Sequence, residues 1–136
     1  MSLPRPSPEA FTRVVASRLN EVVPRGFSVR AHGVNVNVYG GQGHRPASAA
    51  GMIIGLDDDR SLQERMETAA RSILAGAQTE IMELLREQWP VGPNRQAAEP
   101  DARVVKDQLR MWFGKEDAPV VRLQSVPMDE IFEGAA

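Results

Sequence analysis

The sequence contains no cysteine, which removes disulfide cross-links, thiolate nucleophiles and cysteine-ligated zinc from consideration and is compatible with a reducing compartment. It also lacks any apolar run approaching the roughly 18 residues that a membrane-spanning helix needs. Met1 to Pro8 contains no apolar stretch of signal-peptide length. A soluble, cytoplasmic protein without a membrane partner is therefore expected. An excess of basic charge is missing as well. Sixteen Lys and Arg stand against eighteen Asp and Glu, a net charge of −2, so no general field draws in nucleic acid or anionic lipid. Lysine itself is scarce: Lys106 and Lys115 apart, every basic residue is arginine, the skew of GC-rich bacterial coding.

Catalytic and cofactor signatures are equally thin. No serine stands in a Gly-x-Ser-x-Gly elbow, and no Lys-Ser/Thr pair completes a phosphate-binding loop. His32 and His44 are the two histidines, twelve positions apart, and no acid or cysteine clusters with them at the spacing of a zinc site or a catalytic triad. The reading is of no catalytic residue, no metal site and no cofactor.

What is present describes an architecture. A chain of 136 residues with 42% hydrophobic and 25% charged residues suits one compact domain, residues 1–6 and 133–136 serving as disordered tails and Met1-Ser2-Leu3 reading as a cloning remnant. Ser7-Pro8-Glu9 is a helix start, combining a capping hydroxyl, proline at the first helical position and an acid at the positive end of the dipole. Phe11, Val14, Val15, Leu19 and Val22 follow at helical spacing until Pro24 and Gly26 end the element.

The segment 27–39 alternates as a hairpin does. A two-residue turn at His32-Gly33 would pair Ala31 with Val34, Val29 with Val36 and Phe27 with Val38 on one apolar face, with Ser28, Arg30, Asn35 and Asn37 on the other. Gly40 to Ser48 reads as a flexible loop, and Ala49 to Leu56 as a third strand covered on both faces. Ser61-Leu62-Gln63-Glu64 fits a capping box, with Asp57-Asp58-Asp59 placed just upstream where the dipole favours negative charge. A long helix is expected from there to about Gln88, stopped by Pro90. Its buried stripe comprises Leu62, Met66, Ala69, Ile73, Ala77, Ile81, Leu84 and Leu85, while Glu67 and Arg71 form an exposed pair. Val91 to Asp101 reads as a surface linker. A meander then follows over 102–105, 108–113 and 120–124, with turns at Lys106-Asp107 and Gly114 to Pro119, and a helical turn near Met128. The sum is an α+β domain of order α-β-β-β-α-β-β-β, two helices packed on one face of a mostly antiparallel five- to six-stranded sheet.

Three segments, AHGVNVNV at 31–38, LREQWP at 85–90 and RMWFGKEDAPVVRLQSVPMDE at 110–130, resemble a family of small uncharacterised actinobacterial α+β proteins. That resemblance implies a source and a fold, and transfers no site residue. More distantly, the order of elements resembles the secretion-chaperone-like fold, in which small acidic proteins dimerise and hold an extended segment of a client.

Two sets of binding residues stand out. Arg110, Trp112 and Arg122 are expected on the outward face of neighbouring strands, forming a cationic aromatic patch suited to a peptide, carboxylate or base; the plainer reading has arginine stems covering an indole on a sheet face. His44 and Arg45 would be the polar contacts if the Gly-rich 40–48 loop held a ligand. The principal functional expectation is a non-enzymatic protein-interaction or chaperone-like module, a homodimer that uses a sheet face or edge to hold a protein or peptide partner. The alternative is a small-molecule-binding protein or enzyme built around the 40–48 loop.

Overall fold

The computed structural model describes residues 7–40, 43–47 and 61–131. Helix α1, Pro8–Asn20, begins where the sequence places it: the Ser7 hydroxyl accepts from the Ala10 N–H at 3.1 Å and Pro8 occupies the first turn. Strands β1, Ser28–His32, and β2, Asn35–Gly40, make the hairpin. Strand β3, Gly43–Ala47, pairs antiparallel with β2. Helix α2 runs Leu62–Leu85, then β4, Pro100–Val105, β5, Gln108–Lys115, β6, Ala118–Arg122, a two-residue β7, Val126–Pro127, and a 3₁₀ turn, Met128–Glu130. The class is α+β, in the expected order of elements. The strands, however, divide between two sheets, β1-β2-β3 and β4-β5-β6 with β7 also on β5.

The division has a local cause. The Val104 N–H donates to Glu67 Oε2 at 2.7 Å, and the Ala102 carbonyl accepts from Arg71 Nη1 at 3.4 Å. These β4 groups are the ones a continuing sheet would use, and α2 takes them instead. Glu67 and Arg71 thus reach for β4 rather than forming an exposed pair with each other; Arg71 also holds Asp101 Oδ1 at 3.3 Å. Between these contacts α2 buries Met66, Ala69, Ala70, Ile73, Leu74, Ala77 and Ile81, which join Phe11, Leu19, Val36, Val38, Leu109, Met111 and Phe113 in one core.

The hairpin keeps its faces but not its pairing. Val29 stands opposite Val38 and Ala31 opposite Val36, so the turn is Gly33-Val34 rather than His32-Gly33. Gly33 has φ +64°, and a two-residue turn with glycine first is the type II′ arrangement that matches strand twist; histidine in that place would need the left-handed region. Gly43–Ala47 is strand where a loop is expected, and the expected third strand at 49–56 and the acidic run 57–59 lie outside the described residues, as do the tails.

Helix α2 ends at Leu85, short of Gln88, because Arg86 turns left-handed at φ 60° and caps the helix with its N–H on the Met82 carbonyl. The 86–99 connector is ordered by internal bonds, among them Gly92 N–H to Gln96 O at 2.8 Å and Ala98 N–H to Pro90 O at 2.8 Å, and β4 starts at Pro100, inside the expected linker. The Lys106-Asp107 turn forms as read. The β5–β6 turn is tighter than expected, Lys115 facing Ala118, because a bulge at Gly114, φ +104°, absorbs one residue of β6.

One buried polar side chain was invisible in the periodicity. Gln78 is 7% exposed and its Nε2 donates to Trp89 O at 3.0 Å and Ala98 O at 2.7 Å, tying both ends of the connector to α2. Trp89, partly buried against the core, packs edge-on to Phe113 with ring centroids 5.3 Å apart. Replacing Gln78 by leucine strands both carbonyls, so Gln78→Leu should lose about 2 kcal/mol in urea unfolding with an unchanged m-value.

Candidate functional site

Among the described residues, one concave surface lies on each sheet. The larger is a groove of about 530 Å³ between α1 and β1, lined by Glu9, Arg13, Asn20, Arg30 and Ala31 among others, within the roughly 300–1,000 Å³ of ligand sites. Its construction follows from the register. The Val29 N–H donates to Asn20 Oδ1 at 2.8 Å, so Val29 points its backbone away from β2, and Ala31, two residues on, does the same. The preceding outward amide, Phe27 N–H, bonds the Pro24 carbonyl at 3.0 Å. Among the described residues the outward N–H and C=O of Ala31 have no partner. β1 is thus an edge strand capped at one rung by Asn20 and open at the next.

The second surface is a cavity of about 260 Å³ lined by Arg110, Trp112, Glu116, Arg122 and Ser125. Here the structure brings together three of the residues singled out in the sequence. Trp112 and Arg122 are cross-strand partners, and Arg110, two residues before Trp112, shares their face. Trp112 lies outside the continuous apolar core yet is only 5% exposed. Arg103 stands opposite Arg110 in the register, and one of its guanidinium nitrogens bonds both Glu116 oxygens at 3.2 Å. Trp112 Nε1–H donates to the Gly114 carbonyl at 3.2 Å. The indole is nearly buried, and Arg110 and Arg122, which line the same cavity, are exposed.

His44 and Arg45, the other two residues singled out in the sequence, belong to β3, where their backbones pair opposite Tyr39 and Val38. Tyr39 belongs to the polar face of the hairpin, where its hydroxyl lies 3.2 Å from His32 Nε2 and Arg30 stands 5.8 Å over its ring. Among the described residues no group of three His, Asp or Glu is placed to hold a metal, and no described helix is long and apolar enough to cross a membrane. Comparison with protein-family models, curated proteins and solved structures found no match.

Sequence reasoning missed Asn20, Arg13 and Ala31 at the groove and Ser125 at the cavity. Asn20, the last residue of α1, carried no signal beyond its place near a helix end. Its role is separable: Asn20→Ala should cost about 1–2 kcal/mol by leaving the Val29 N–H without its acceptor, and hydrogen exchange at the Val29 amide should quicken more than at Val36 or Val38.

Proposed function

We propose that the protein is a non-enzymatic, chaperone-like interaction module that holds an extended segment of a partner polypeptide along β1, against α1. The observation that carries this is the outward N–H and C=O of Ala31, which have no partner among the described residues and line a groove large enough for a short segment. A strand added there would gain main-chain hydrogen bonds of the kind used in β-strand addition, while side chains reach the α1 wall. Arg13 and Arg30 outnumber Glu9 in the lining, which favours an acidic residue in the segment. The distant likeness in element order to the secretion-chaperone-like fold agrees with this reading. The cysteine-free composition suits a reducing compartment, and we place the protein in the cytoplasm.

The homodimeric state belongs to the same proposal. Its support is the side chain of Val120, 37% exposed at the β6 bulge and one of two large apolar residues exposed among those described; the contact is between side chains, since Pro119 and the bulge disfavour strand pairing at that edge. Sedimentation over a concentration series should give a dimer for the native chain and a shift to monomer for Val120→Asp. A monomer throughout removes this part.

Strand addition is tested by selecting random linear peptides on phage against the native protein and then against Ala31→Pro. Proline deletes the outward N–H but spares the β1–β2 ladder, to which that N–H does not contribute. Selected peptides should bind the variant about tenfold more weakly or worse, a loss of about 1.4 kcal/mol, while its melting temperature stays close to native. Equal binding to both proteins, or no peptide retained by the native chain, overturns the reading.

A further inference from the structure

The cavity over Trp112 rests on residues and strands other than those of the β1 groove, and its charge is specific. Of its lining, Glu116 is the acid, and Arg103 holds both of its oxygens at 3.2 Å, which neutralises it. Arg110 and Arg122 have no hydrogen-bond or ion-pair partner among the described residues. Because Arg122 stands opposite Trp112 and Arg110 is two residues along, the two arginines are diagonal neighbours, whose backbones are roughly 7–8 Å apart in a sheet. Both long side chains therefore converge on one small space, with Ser125 at its rim.

We propose that this cavity binds a phosphate group. Two guanidinium groups without partners among the described residues call for a dianion. A carboxylate would leave one of them unmatched, whereas a phosphate monoester brings about −1.5 to −2 of charge and three acceptor oxygens, enough for both arginines and the Ser125 hydroxyl. Guanidinium groups meet such oxygens in paired, charge-assisted bonds. Size points the same way. At about 260 Å³ the cavity falls below the roughly 300–1,000 Å³ that encloses a whole ligand, so it takes a head group and leaves the remainder of the molecule on the strand face outside. A polynucleotide is not the occupant, since a track of phosphates needs a row of cations and the chain carries a net charge of −2. The phosphate is carried either by a small molecule or by a phosphorylated residue in a protein segment.

The test is a titration of isotopically labelled full-length protein, at constant ionic strength, with inorganic phosphate, with a phosphoserine peptide and with the same peptide carrying glutamate instead. The resonances read are the Trp112 indole N–H and the Ser125 amide. Both phosphate ligands should give saturable shifts, weakened about tenfold or more in Arg110→Gln and in Arg122→Gln and a few-fold in Ser125→Ala. These substitutions, at exposed Arg110 and Arg122 and half-buried Ser125, should leave the rest of the spectrum in place. A peptide that binds much more tightly than inorganic phosphate identifies a phosphorylated segment as the source, and equal affinities identify a small phosphate-bearing molecule. Absence of saturation, equal binding of the glutamate peptide, or shifts unchanged in both arginine variants overturns the proposal.

Discussion

A helix that lies against the rim of a sheet must either leave that rim's amides and carbonyls in want of partners or supply the partners itself. Helix α2 supplies them. Its apolar stripe from Met66 to Ile81 fills the space shared by both sheets, and the polar residues flanking that stripe reach the backbone beside it: Glu67 and Arg71 to β4, Gln78 to the connector that leads into β4. Burial of the stripe supplies the non-directional part of the stabilisation. The hydrogen bonds supply direction, because each fixes one rung of β4 or one carbonyl of the connector against a named side chain. The separation into two sheets follows from the same bonds.

Seen from their edges, the sheets are managed differently. β4 is closed by α2. β6 carries Pro119 and, at Val120 opposite the Phe113–Gly114 step of β5, a bulge, two devices that make an edge unattractive to another strand. β1 is closed at Val29 by Asn20 and left open at Ala31. Nature's usual means of blocking an edge are thus present on two strands and half-applied on a third, which is where a groove lies.

Much of this was legible beforehand, for identifiable reasons. Helix α1 and its cap were readable because capping is chemistry within four residues, and the inward and outward faces of β5 because side chains alternate strictly along a strand. The shared face of Arg110, Trp112 and Arg122 followed from the same alternation. Pairing was less legible. Placing the hairpin turn one position early leaves every side chain on its proper face yet reverses which backbone groups point away from β2: Ala31 would have bonded across the hairpin instead of facing outward. The open rung was therefore hidden by an error that hydrophobic patterning cannot detect. Gln78 and Glu67 were hidden differently, since a helical wheel sees polar residues at the border of an apolar stripe and has no knowledge of the carbonyls and amides waiting across from them. The strand at Gly43–Ala47 went unread because glycine and proline advertise a loop, although Pro46 is tolerable in β3, the outermost strand of its sheet among the described residues.

The seat of the first helix is completed at the far end of the chain. The Ser7 N–H donates to the Ile131 carbonyl at 3.0 Å, Arg18 pairs with Glu130 at 3.1 Å, and Ile131 is wholly buried. On the ribosome, α1 emerges first and the residues that clamp it emerge more than a hundred positions later. Until then one side of α1 has nothing to dock on, and its greasy flank, Phe11, Val15 and Leu19, depends on the β1–β2 hairpin and α2 alone for shelter. Order of synthesis and order of assembly therefore run in opposite directions for this helix, whose apolar flank lacks part of its shelter until Ile131 has been made.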